Sequence, residues 1–194
     1  MAITHSNFLT QVRNYTEVDS NVLTDSLIDQ FITNTELDIA SRVDYDDLRK
    51  FSNSNFTAGN RALSLPGDLK YLRAVKITDG GTEVFLEKRD QTFIAEFNPT
   101  GTQGQPKYYA NYNDKNVLVA PTPASALAVQ IQYIKNAPHF DSGNSTMLSD
   151  QHQNLLLYGV LVECFSYLKG PLDMYNLYKT RYDKALEAFA LEQM

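Results

Sequence analysis

The chain contains no tryptophan, one cysteine and three histidines, and these shortages remove whole classes of chemistry before any pattern is read. A lone Cys164 cannot close an internal disulfide, and zinc ligands usually come as close pairs of Cys or His that this sequence does not supply. Runs of like charge are missing too. With 17 Lys+Arg against 23 Asp+Glu, for a net charge of -6, there is no basic arm to neutralise a row of nucleic-acid phosphates. The most apolar stretch, Leu155 to Phe165, is interrupted by Gly159 and Glu163 and falls short of the roughly 20 residues of a membrane span. The opening Met1-Ala2-Ile3-Thr4-His5 has neither the basic nor the apolar region of a signal peptide, so synthesis in a reducing cytoplasm is expected.

What the sequence does have is a hydrophobic content of 43% over 194 residues, enough to build one domain or two small ones. Twelve tyrosines and ten phenylalanines stock its cores or interfaces with large side chains. Phe8, Leu9, Val12 and Tyr15 recur at helical spacing, predicting a helix from about Thr4 to Tyr15. A second helix is predicted to start at Thr24-Asp25, with a core stripe of Ile28, Ile32, Thr35, Ile39 and Val43 and a wet side carrying Asp29, Asn34 and Glu36. The Ser, Asn, Thr and Gly of Phe51 to Asn60 read as a loop that closes this helical section.

Strand patterns follow. The clearest is a hairpin, Leu69 to Ile77 returning at Thr82 to Glu87, with Asp79-Gly80-Gly81 between to tolerate positive φ. Asp90 to Phe97 is expected to form a short helix, and Pro106–Tyr112, Val117–Ala120 and Ala128–Lys135 to form strands. A loop at Asn136 to Thr146 leads to a helix predicted to be capped by Ser149 or Asp150, with Gln153 as box partner. That helix, through Leu168, is apolar nearly all round, which requires partners on several sides or a neighbouring subunit. Lys169-Gly170-Pro171 stops it, and a last helix to Glu192 carries Tyr175, Tyr178, Tyr182, Ala185 and Phe189 along one seam. The expected class is α+β: a helical bundle of N- and C-terminal helices (1–60 and 136–194) with an inserted antiparallel β-rich module (61–135).

Reactive constellations are sparse, and no catalytic, cofactor-binding or metal-ligating residue is assigned. His5 at a frayed terminus, His139 in a loop and His152 in a helix's first turn are not placed by the sequence beside a nucleophile. Cys164 lies in apolar surroundings that favour the inert thiol. Asp44, Asp46 and Asp47 could offer oxygens to calcium, but the Gly and Glu of an EF-hand are missing. Glu83 and Glu87 share one strand face and not a cleft, while Gly101 to Gln105 lacks the Lys-Ser/Thr of a phosphate loop. Tyr108, Tyr109 and Tyr112 beside Lys107 suit either a single-strand stacking platform or a protein interface, the single lysine weighing against the first.

The segment Leu65-Pro66-Gly67-Asp68-Leu69-Lys70-Tyr71-Leu72-Arg73 resembles the entry to the β-rich module of tailed-phage head-to-tail adaptor (connector) proteins. In the same order come Gly104-Gln105-Pro106-Lys107-Tyr108-Tyr109, Ala120-Pro121-Thr122-Pro123, Gln132-Tyr133 and the helix Leu155 to Leu168, so the similarity covers the chain from the second helix onward. The resemblance implies a structural virion protein: a homo-oligomeric ring, commonly of twelve subunits, on the outer end of the portal, with a tail or nozzle protein below. Duplex DNA would pass through the lumen without specific binding, with assembly in the host cytoplasm and no membrane partner. A long C-terminal arm like that with which some adaptors invade the portal is not expected here, since only a few residues follow the last predicted helix. Other readings to weigh are another collar or tail-completion ring, a single-strand binder and a small tail-associated hydrolase. For interfaces the candidates are the hairpin tip Asp79, Gly80 and Gly81, the strand pair Tyr108 and Tyr109, and the seam Tyr175, Tyr178 and Tyr182.

Overall fold

The computed structural model describes residues 3–193. In chain order the elements are α1 (His5–Thr16), α2 (Asp25–Arg42), β1 (Arg49–Phe56), β2 (Ala62–Ser64), β3 (Leu69–Asp79), β4 (Thr82–Phe85), β5 (Glu87–Lys88) and α3 (Gln91–Phe97). They continue with β6 (Gln103–Gly104), β7 (Tyr108–Asn111), β8 (Asn116–Ala120), β9 (Thr122–Pro123), β10 (Leu127–Lys135), α4 (Met147–Gln151), α5 (Gln153–Tyr167) and α6 (Leu172–Glu192). The class is α+β. The chain divides into two compact units, a helical one that runs to Asp47 and resumes at Ala137, and a β-rich one from Leu48 to Asn136.

In the helical unit the threonine caps act as their sequence positions suggest. Thr4 Oγ1 accepts the N–H of Asn7 at the start of α1, and Thr24 Oγ1 that of Leu27 at the start of α2. Helix α2 buries Ile28, Ile32, Thr35 and Ile39 along the expected stripe, but it also buries Glu36, which the periodicity assigns to the wet side. The helix that the sequence reads as one piece is two. A capping box of Thr146 and Ser149 opens α4, upstream of the Ser149 or Asp150 cap expected, and His152 breaks the chain before α5. At the other end of α5 the left-handed residue is Lys169, at φ +50°. Gly170 is needed for a different reason: a Cβ there would come within 2.8 Å of Phe165 Cδ1.

Helix α5 packs against α1, α2, α4 and α6, which accounts for an apolar surface that no single partner could cover. Leu155, Leu156, Leu157, Val160, Leu161, Cys164 and Phe165 are all buried. The apolar surplus expected to await a neighbouring subunit is thus largely taken up inside this unit.

The β-rich unit starts earlier than its sequence suggests. The stretch read as a loop, Phe51 to Asn60, is mostly β1, antiparallel to β10 from Arg49–Ile134 to Phe56–Leu127. Only Phe56 of this edge strand is buried, so its Ser and Asn side chains need no apolar face and leave no alternation to read. One sheet has the order β1–β10–β3–β4, all antiparallel, and a second has β2–β8–β7–β5. Two short parallel pairs, β5 with β7 and β6 with β9, depart from the antiparallel module expected. The inward residues Val75, Ile77, Val129 and Ile131 of the first sheet share one core with Leu63, Tyr109, Val117 and Val119 of the second. Helix α3, capped by Asp90, covers the second sheet's other face, where Ile94 meets Ala110 and Ala120.

The signature around Asp68 has a structural task. Its carboxylate accepts from Lys50 Nζ of β1 and from the Tyr133 hydroxyl of β10, both at 2.8 Å, while its carbonyl accepts the N–H of Asn136 at 2.7 Å. The Lys50 ammonium holds this carboxyl below its ordinary range. One turn residue thereby ties the entry of β3 to two other strands.

Candidate interaction surfaces

The hairpin tip is built as its residues require. Gly80 and Gly81 both take positive φ, +55° and +82°, closing a two-residue turn between the paired Asp79 and Thr82. All three candidates, Asp79, Gly80 and Gly81, are exposed. Just below them Lys76 Nζ reaches Glu83 Oε1 at 2.7 Å across the two strands, stiffening the base of the turn.

The two neighbouring tyrosines of β7 part company, because successive side chains on a strand point to opposite faces. Tyr109 is buried in the core between the sheets. Tyr108 lies on the α3 side, its ring 5.0 Å from that of Phe93 and 5.1 Å from that of Phe97, with the Arg89 guanidinium 5.7 Å from its centre. A stacking platform made of both is therefore not formed; Tyr112 is exposed just beyond the strand.

The α6 seam is mostly internal. Tyr182 is buried and donates its hydroxyl to Asp38 Oδ2 at 2.7 Å. Tyr175 is half-buried beside a small groove lined by Asn34, Asp38, Arg42, Gly159 and Lys179. Tyr178 stacks on Phe165 with centroids 5.4 Å apart, and the rings of Tyr15 and Tyr158 lie at 6.2 and 6.3 Å from it. The Arg181 guanidinium stands 5.8 Å from the ring centres of both Tyr158 and Tyr178. Burial raises the Tyr178 hydroxyl, Arg181 opposes that, and the nearby Tyr15 and Tyr158 add to it. Sequence reading names Tyr178 but passes over Arg181 three residues on and Tyr158 on another helix.

The strongest electrostatic feature is one the sequence hides. Glu36 is fully buried; its carboxylate accepts the N–H of Phe140 at 3.1 and 3.2 Å and the Thr146 hydroxyl at 3.1 Å, with His139 Nδ1 at 3.6 Å. Burial raises its carboxyl to about 7. A shifted carboxyl often marks catalysis, but this one has its oxygens committed to the segment before α4 and acts as that segment's anchor. The histidines are similarly engaged. His5 opens α1, bonded to Asp29 at 2.7 Å and edge-on to Phe140, and so is no frayed end; His152 packs on Phe189 at 4.6 Å.

Cys164 is fully buried, and burial pushes its thiol up to about 12. It should resist a charged thiol reagent in the native protein and react fully once denatured. Fast native labelling, followed by mass spectrometry, would show that α5 opens readily. Among the described residues no three His, Cys, Asp or Glu side chains are grouped to hold a metal, and no helix is long and apolar enough to cross a membrane.

Residues 3–194 match the model of the SU10 adaptor protein family. The chain belongs to that family. The resemblance carried by Leu65 to Arg73 and the later motifs is thus a membership that spans almost the whole sequence, consistent with a phage head-to-tail adaptor. The adaptor family is structural and not enzymatic, and its members are components of the virion. No curated protein matches the chain.

Proposed function

We propose that this adaptor assembles as a ring, probed first as a dodecamer, between the portal and the next tail or nozzle protein, and that duplex DNA passes through its lumen. The match to the adaptor family over residues 3–194 is the observation that carries the reading. On this reading the helices form one bundle that seats the subunit, the β-rich module is an insertion that faces the tail, and assembly takes place in the host cytoplasm. The net charge of -6 supports a lumen that repels phosphate and lets DNA slide. Of the interface candidates, Asp79, Gly80, Gly81 and Tyr108 remain available on the module, and Tyr175 on the helical unit.

The test is assembly of the purified chain on its cognate portal, followed by addition of the next tail protein. Wild type should form a closed ring and recruit the tail component. Cutting the hairpin back by one residue pair, with a two-residue Asn-Gly turn joining Thr78 to Glu83 in place of Asp79 to Thr82, should preserve folding and portal docking while abolishing tail recruitment, since loops on a stiff scaffold carry contacts without holding the core. Normal recruitment by the shortened protein would remove the hairpin from the docking surface.

A further inference from the structure

Arginines 13, 42 and 89 each hold a carboxylate of their own chain, Asp25, Asp38 and Glu87. Arg181 does not. Among the described residues it has no hydrogen-bond or ion-pair partner, and its guanidinium is exposed while resting over the rings of Tyr158 and Tyr178. Tyr15 closes the third side of this cluster, its ring 6.2 Å from that of Tyr178 and 41% exposed. The hydroxyls of these three tyrosines form no hydrogen bond among the described residues either. A positive fork from α6 and the phenols of Tyr15 on α1 and Tyr158 on α5 gather around the buried ring of Tyr178, and among the described residues none of them is paired with an acid of the chain.

That set of groups fits a single carboxylate, which an Arg fork can take in two parallel hydrogen bonds while the phenols donate beside it. A duplex is a poorer fit, because phosphate binding needs a row of cations, and of the lysines flanking Arg181 on α6 Lys179 is already held by Asp183, which leaves Lys184. Arg and Tyr are also the residues that most often dominate the energy of protein interfaces. The chain itself supplies the complementary charge: with 23 acids to 17 bases, every copy presents exposed acids that hold no ion pair among the described residues, Glu17, Asp173 and Glu187 included. A closed ring needs two different faces that fit head to tail, one of which can be this patch.

We propose that the patch of Tyr15, Tyr158 and Arg181, laid over the buried ring of Tyr178, is the subunit-to-subunit contact of the ring, where it takes a carboxylate of a second copy of this chain. The inference rests on the ring reading given above and says which face closes the ring.

The experiment titrates the full chain onto its cognate portal and reads ring occupancy by native mass spectrometry, with wild type, Arg181→Ala, Arg181→Lys and Arg181→Glu in parallel. Arg181→Ala should need about thirtyfold more protein for half-occupancy, the equivalent of a 2 kcal/mol contact at tenfold per 1.4 kcal/mol. Arg181→Lys, which keeps the charge and the fold but loses the fork, should recover only part of this, and Arg181→Glu should give no ring. If Arg181→Ala proves unstable in a thermal melt, the Lys variant decides. Wild-type occupancy by all three variants would overturn the proposal and leave the adaptor reading standing, whereas failure of wild type to assemble on the portal would overturn that reading and this one together. A short duplex DNA is titrated alongside. Salt-sensitive binding lost in Arg181→Ala, with ring occupancy unchanged, would reassign the patch to phosphate and overturn the proposal.

Discussion

Between about pH 4 and about pH 8 the wild-type chain should lose about 3 kcal/mol of stability that Glu36→Gln does not lose. Burial lifts the Glu36 carboxyl from 4.5 to about 7; the Phe140 N–H and the Thr146 hydroxyl pull it down, and Asp141 pushes it further up. In the unfolded chain the same group ionises at its ordinary value. As pH rises from about 4.5, the unfolded state therefore releases this proton before the folded one does. Stability is fully present below that value, falls through the interval and levels off above about 7. Glutamine keeps an oxygen for the Phe140 N–H without a charge to bury, so the difference between the two proteins in urea midpoint isolates this group from the other acids. Relative to Glu36→Gln, Glu36→Ala should cost about 2 kcal/mol or more at every pH, because neither variant titrates here and alanine strands a buried N–H and hydroxyl. Parallel pH profiles for wild type and Glu36→Gln would show that the carboxyl is not buried as described.

The same residue shows where reading the sequence stops. Local signals were sufficient for α2 and its Thr24 cap, for the Gly80-Gly81 turn and for an α5 that needs partners all round, since each depends on residues close together in the chain. Glu36 sits where helical spacing predicts water, and its hydrogen-bond partners, Phe140 and Thr146, lie more than a hundred residues later in the chain. Strand β1 was hidden for the opposite reason. Its pairing is carried by backbone bonds to β10, and its Ser and Asn side chains mimic a loop. The tyrosine candidates divide in the same way: nothing in Tyr108-Tyr109 says which of the two faces a core, and the seam tyrosines Tyr178 and Tyr182 are committed to contacts with α1, α2 and α5. Arg181 carries no motif at all, and it stands out only because its neighbours in space leave it without an acid.

Gly159 should prove the least replaceable position of α5. In a sequence it looks like a flaw in an apolar helix, and by propensity alone Gly159→Ala would gain about 1 kcal/mol. In the fold, a Cβ at this position would lie 2.3 Å from Thr35 Cγ2 of α2 and 2.9 Å from Tyr182 Cε2 of α6. Neither neighbour yields easily. Thr35 is β-branched and stiff at χ1 within a helix, and Tyr182 is tied by its hydroxyl to Asp38 at 2.7 Å. Overpacking of about 3 kcal/mol set against the helical gain leaves Gly159→Ala destabilised by about 2 kcal/mol, and Gly159→Val, with two further carbons to place, by more than about 4 kcal/mol. Thr35→Ala supplies the control. The Thr35 hydroxyl is buried and finds no hydrogen-bond partner among the described residues, so removing it should cost little alone while clearing the nearer clash. In a double-mutant cycle read by urea denaturation, Gly159→Ala should therefore regain about 1 kcal/mol when Thr35→Ala is present, a coupling expected only of groups in contact. A Gly159→Ala protein as stable as wild type, or energies that simply add, would mean that α2 and α6 do not close on α5 at this glycine.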